Sequence, residues 1–172
     1  PVRVDDLDIM ATTTGTTGVP TPYPMTWHDM VDVWGEAMVR GMWRAGVRSR
    51  DRILFCFALS MVIAGIPTMM GCHRLGAMAI PVGAEAGTDR ILLMQTLFRG
   101  TVYSGTPSLA EYLIEKCKEQ GRDPRDLGLR ILTCGGEPGA GIPEVRKRLE
   151  EAYGARLFDA GAGFGFSCDH PE

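Results

Sequence analysis

The sequence predicts an α/β fold, a layered domain whose largely parallel sheet is flanked by helices. Three observations carry this expectation. Short, almost wholly apolar runs alternate with amphipathic helical patterns at least four times along the chain. The connections between them are short, as crossover units require. Glycine is abundant, with 22 residues. The glycines fall mostly at the ends of the apolar runs, where open α/β sheets place their ligands.

The elements follow in order. Trp27, Met30, Val31, Trp34, Met38 and Met42 recur at three- and four-residue spacing, which predicts a helix over 26–44. Thr26 caps it with Asp29 as partner three residues on, and Ala45-Gly46 ends it. RILFCF (52–57) reads as a buried strand. A helix over 64–75 stops at Gly76, and AMAIPVG (77–83) is the next strand. Thr88 is expected to cap a helix through Phe98, followed by the strand TVYSG (101–105). Ser108, with Glu111 completing S-x-x-E, is expected to open a helix to about Gln120. RILTCGG (130–136) is a strand running into a tight turn. Pro143 suits the first turn of a helix carrying Ile142, Val145, Leu149 and Tyr153, and ARLFD (155–159) is the last strand.

Composition bounds the function. The 172 residues are 45% apolar and 23% charged, as in an ordinary globular domain with its own core. A net charge of −3 leaves no electrostatic footprint for nucleic acid or an anionic membrane. No apolar run reaches the roughly 18 residues of a transmembrane helix. PVRVDDLDIM lacks the pattern of a signal peptide, and a start at Pro with no Met suggests a chain cut from something longer. The five cysteines, Cys56, Cys72, Cys117, Cys134 and Cys168, are odd in number and form no C-x-x-C pair. Reduced, mostly buried thiols are expected. Cys168, Asp169 and His170 are all zinc-ligand types, but three adjacent residues rarely converge on one ion, and no metal site is expected. His28 and His73 fall in helical patterns and read as surface or capping residues.

The stretch TTTGTTGVP (12–20) carries the most specific chemistry. A Gly/Thr loop can wrap polyphosphate, because glycine lets backbone N–H groups approach closely and the hydroxyls add donors. It is not a Walker loop, since it lacks the GxxxxGK[ST] spacing and any lysine. A solvated surface turn is the alternative reading of the same residues.

TTGTTGVP resembles the [ST]-[ST]-G-T-T-G-x-P phosphate loop of adenylate-forming enzymes, the acyl-CoA synthetases and their relatives. LGAMAIPVGAEAGTDRILLMQTL, TVYSGTPSLAEYL, DPRDLGLRILTCGGEPGAGIPEVRKRLEEAYGAR and FDAGAG resemble successive segments of phenylacetate-CoA ligase-like proteins, in the same order. The resemblance runs from about Asp8 to Glu172 and implies part of the large domain of such an enzyme. It implies ATP, Mg²⁺ and coenzyme A. A carboxylate attacks the α-phosphorus to give an acyl-adenylate and pyrophosphate, and the thiol of coenzyme A then displaces AMP. Thr13, Thr14, Gly15, Thr16, Thr17 and Gly18 would cradle phosphate. Gly135, Gly136, Glu137 and Pro138 would lie along adenine, with Asp159 beside the AMP-contacting motif. Phe57–Gly65 resembles the acyl-pocket lining, which assigns Phe57 and Ala58 to the substrate. Tyr103 and Ser104, at a strand end, are expected to face the same cleft. A cytoplasmic enzyme of aromatic acid catabolism, with small-molecule partners and a possible homodimer, is implied.

The chain departs from that pattern in three places. Val19 stands where the family often has lysine. No Glu lies between Asp159 and Pro171, so the usual acidic Mg²⁺ ligand is missing or replaced, for instance by Asp169. The chain is much shorter than such enzymes, with no small C-terminal domain and its catalytic lysine. A fragment, inactive alone and marginally stable or associating when isolated, is therefore expected. The same residues allow two further readings: an adenylating enzyme that does not use coenzyme A, and a degenerate nucleotide-binding homologue without catalysis.

Overall fold

The computed structural model describes residues 3–13, 18–61 and 63–160. Five parallel strands form the sheet: β3 (Arg52–Phe55), β4 (Met78–Pro81), β5 (Val102–Gly105), β6 (Ile131–Gly135) and β7 (Arg156–Ala160), in spatial order β4-β3-β5-β6-β7. Helices α1 (Gly35–Arg44) and α2 (Ile66–Leu75) cover one face. Helices α3 (Thr88–Phe98), α4 (Pro107–Glu119) and α5 (Pro143–Tyr153) cover the other. The three inner strands β3, β5 and β6 are mostly apolar because both faces are covered, whereas the edge strands β4 and β7 carry exposed positions at Met78 and Arg156. Along each strand the side chains alternate between the two cores. Ile53, Val102, Ile131 and Phe158 pack towards α1 and α2. Leu54, Tyr103, Leu132 and Leu157 pack towards α3–α5. The layered α/β expectation is met, and strand order reverses between β3 and β5. Such a switch point opens a crevice beyond the carboxyl ends of its strands.

A hairpin precedes this unit and was not legible as one. Strands β1 (Ile9–Thr12) and β2 (Pro22–Met25) are antiparallel, with Ile9 opposite Met25 and Thr12 opposite Pro22. The Thr/Gly run therefore falls in sequence between two paired strands, and the helix comes only after β2. Thr26 and Asp29 form the expected reciprocal cap. Thr26 Oγ1 accepts from Asp29 N at 3.1 Å, and Asp29 Oδ2 accepts from Thr26 N at 2.9 Å. The helical segment that follows is not uniform. Asp29–Trp34 is a π-helical turn in which Gly35 N–H bonds to Met30 O, and regular α-helix begins at Gly35.

Gly35 and Gly71 mark where α1 and α2 cross. A Cβ on Gly71 would stand 2.8 Å from Met38 Cβ and 3.2 Å from Gly35 O. Gly71→Ala is expected to cost about 1–3 kcal/mol by forcing the helices apart. A urea midpoint within error of wild type would mean that they do not pack this closely.

Two caps differ from expectation. Helix α3 is entered from Gly87, at φ +77°, so Thr88 is its first helical residue and not its cap. Helix α4 is capped by Thr106, whose Oγ1 accepts from Leu109 N at 3.3 Å. Thr106 precedes Pro107, and a hydroxyl residue ahead of a first-turn proline is the stronger start signal. Ser108 and Glu111 accordingly form no capping box. Ser108 N donates to Glu137 Oε1, and Glu111 pairs with Arg148.

The amino ends of three strands are tied by one buried carboxylate. Asp51 is 3% exposed. It accepts from Arg48 N at 2.7 Å, Thr101 Oγ1 at 2.8 Å and Arg130 Nε at 3.0 Å, and from a second guanidinium nitrogen of Arg130. Burial opposes its ionisation. The Arg130 hydrogen bonds, the Arg48 amide and the Thr101 hydroxyl outweigh that, so its pKa lies below the ordinary aspartate value.

Candidate functional site

At the opposite end of the sheet the polypeptide leaves β3, β5 and β6 at neighbouring points. Strand β6 ends at Gly135, which opposes Ala160 of β7. A Cβ on Gly135 would lie 2.0 Å from Ala160 O, so only glycine fits. Gly136, at φ +85°, then turns the chain outward. Gly136, Glu137 and Pro138 are exposed. Glu137 holds this turn onto α4, its Oε1 accepting from Ser108 N at 2.7 Å. Gly139 lies against Pro107, where a Cβ would come within 2.9 Å of the ring.

Phe57, just beyond β3, is 9% exposed, and its ring lies 5.7 Å from that of Phe55. A Cβ on Gly136 would stand 3.7 Å from Phe57 and 3.8 Å from Thr106 Cγ2. The ends of β3, β5 and β6 thus meet around Gly136. Ala58 is half-buried beside Phe57. Asp159 is half-buried, with Oδ2 3.3 Å from where a Cβ of Gly141 would be.

Tyr103 does not face the cleft as expected. It is fully buried and its hydroxyl donates to Thr106 O at 2.9 Å. Burial pushes its phenol well above the ordinary value. Its position four residues before Pro107 on a short strand turns it into the α3–α5 core, so it braces the β5–α4 turn from beneath. Ser104 is likewise buried, at 2% exposure.

The Thr/Gly loop is anchored to the same end of the sheet. Thr12 N donates to Met61 O at 2.7 Å, and Ile63 N donates to Thr12 O at 3.0 Å. Both partners belong to the segment that leaves the carboxyl end of β3. Thr13 N donates to Thr21 O, and Thr13 Oγ1 accepts from Thr21 N, each at 3.0 Å, closing the base of the loop. Gly18 and Val19 are exposed, Val19 to 93%. Thr14, Gly15, Thr16 and Thr17 lie outside the described residues, as do Cys168, Asp169 and His170.

Sequence reasoning missed Glu85, on the short turn after β4. Its Oε1 accepts from Leu59 N at 3.1 Å and Ser60 N at 3.4 Å. No spacing rule could link positions 26 residues apart. Its pKa is lowered, first by its own backbone amide, against some desolvation, and then by those of Leu59 and Ser60. Cys56, in the same region, is no nucleophile, because burial pushes its thiol up to about 12. Among the described residues no three or more His, Cys, Asp or Glu side chains group as metal ligands, and no helix is long and apolar enough to cross a membrane.

The family model for the AMP-binding enzymes matches residues 1–165. The chain belongs to the AMP-binding enzyme family. Among members of this family it is similar to the phenylacetate-coenzyme A ligase of Pseudomonas putida, at 30% identity over 84% of this chain and 32% of that protein. It is equally similar to that of Thermus thermophilus, at 30% identity over 83% of this chain and 31% of that one. The chain thus spans about a third of the length of the curated relatives it matches. A solved 2-hydroxyisobutyryl-CoA ligase, in an open conformation with 2-HIB-AMP and CoA, superposes with a TM-score of 0.86 at 32% identity, covering 95% of this chain and 35% of that chain. A long-chain-fatty-acid-CoA ligase from Archaeoglobus fulgidus shares the fold, with a TM-score of 0.69 at 15% identity over 91% of this chain and 31% of that chain. The expected adenylate-forming fold is therefore the fold of this AMP-binding enzyme.

Proposed function

We propose that this chain is part of the large domain of an ATP-dependent acid-CoA ligase. The enzyme adenylates an aryl or acyl carboxylate and transfers the acyl group to coenzyme A. One observation carries the reading: the Thr/Gly loop, through Thr12, and the Gly135–Pro138 turn are anchored at the same carboxyl end of one parallel sheet. The similarity to ligases whose names carry phenylacetate and 2-hydroxyisobutyryl groups supports the substrate class. Thr13, Thr14, Gly15, Thr16, Thr17 and Gly18 grip polyphosphate. Gly135, Gly136, Glu137 and Pro138 present backbone to adenine, with Asp159 alongside. Phe57 and Ala58 line the acid side, where an apolar wall excludes water from the carboxylate. Mg²⁺ belongs to this chemistry as a partner of ATP phosphate oxygens, and no acidic cluster of the described residues is assigned to hold it.

The test is acid-dependent exchange of pyrophosphate into ATP by the full-length protein, followed by thioester formation with coenzyme A. Exchange with thioester formation is the expected result. Exchange with accumulating adenylate would make it an adenylating enzyme that does not use coenzyme A. Nucleotide binding without exchange would make it a non-catalytic homologue, a reading that exposed Val19 favours because no cation stands there.

A further inference from the structure

We propose that Glu85 is a positioning residue that sets the acid-binding segment of the cleft, an inference that rests on the ligase reading above. The segment after Phe57 is gripped from two sides. On one side the Glu85 carboxylate takes the amides of Leu59 (3.1 Å) and Ser60 (3.4 Å). On the other, Met61 O and Ile63 N bond to Thr12, the last residue of β1. The approach to Glu85 is built for this. Gly83, at φ +75°, leaves room that a Cβ would take 2.7 Å from Glu85 Oε2.

An ionised carboxylate aimed at two backbone amides makes charge-assisted bonds and fixes a segment that would otherwise be ordered only at the expense of acid affinity. Glu85 touches no reacting group, so it acts on the acid through residues 57–60. The threonine loop keeps its own attachment through Thr12. Loss of Glu85 should therefore be felt by the acid and much less by ATP.

The experiment uses the full-length protein with Glu85→Ala and Glu85→Gln. In pyrophosphate exchange, Glu85→Ala should raise the KM for the acid about tenfold, the low end for a charge-assisted bond at an exposed site. The KM for ATP and kcat should stay within about twofold. Glu85→Gln keeps one acceptor and should fall between, a partial rescue that general destabilisation would not give. Amide exchange at Leu59 and Ser60 should speed up in Glu85→Ala while the sheet amides keep their protection. An unchanged acid KM, or acid and ATP KM values rising together, overturns the proposal while leaving the ligase reading intact. A wild-type protein with no acid-dependent exchange removes the ligase reading and this proposal with it. Unaltered Leu59 and Ser60 exchange removes only the proposal.

Discussion

Gly135→Ala is expected to lower stability by about 3 kcal/mol or more and to abolish nucleotide binding. The atoms an alanine methyl would meet are Ala160 O at 2.0 Å, Ala160 C at 3.0 Å and Ala160 Cβ at 3.2 Å. Two of the three are main chain of the neighbouring strand and cannot rotate away. Relief requires β6 and β7 to separate where both run into the proposed nucleotide edge. Urea denaturation at constant slope gives the stability loss, and titration with ATP gives the binding loss. A decrease below about 1 kcal/mol would show that the strand ends yield easily, and the close packing described for Gly135 would be wrong.

The second large effect is electrostatic. Arg130→Met is expected to cost about 2–4 kcal/mol at neutral pH, because it leaves the Asp51 carboxylate buried without its main counter-charge. The Arg130 side chain is 44% exposed while that of Asp51 is 3% exposed, so the penalty falls on the aspartate. In the wild type the Asp51 pKa is depressed. Its contribution is fully present above the unfolded value and is lost as pH falls through the folded one. In the variant the opposing effect of burial is no longer outweighed, and the Asp51 pKa should rise. The gap between the two proteins should therefore be widest near neutrality and narrow on acidification through the ordinary carboxylate range, where both come to hold a neutral Asp51. A gap that stays constant with pH would assign the loss to packing of the arginine stem instead.

Residues that could be read from the sequence were those whose neighbours in space are neighbours in the chain. The runs at 52–55, 102–105 and 131–135 are almost wholly buried, and those at 78–81 and 156–160 form the partly exposed sheet edges, but all five announce themselves as mainly apolar runs between helical patterns. The Thr26–Asp29 cap is a three-residue device and was equally plain. The β1–β2 hairpin was not, because PYPM carries two prolines and its loop has no two-residue turn signal. Tyr103 departs from expectation because a strand end tells nothing of which way a side chain is drawn, and the α3–α5 core lies beneath it. The Asp51–Arg130 pair, 79 residues apart, and the Glu85–Leu59 bond exist only once the chain has closed. Of the candidate site, the phosphate-type loop and the glycine turn were legible as motifs. The carboxylates that hold their surroundings in place were not.

The Asp51 cluster also acts as an alignment datum. It clips together the residues that begin β3, β5 and β6, while Gly105, Cys134 and Gly135 stand at the far ends of β5 and β6. Four residues of parallel strand separate Thr101 from Gly105, roughly 13 Å. A slip of one residue between strands would swing Tyr103 or Leu132 from one core to the other, so offsets set at the clipped end propagate undiminished to the open end. The mutual height of the loops that frame the cleft is thus fixed by a charge pair none of them touches. Damage to that pair should be read out above it as mis-set spacing of intact groups, with every ligand-facing side chain still present.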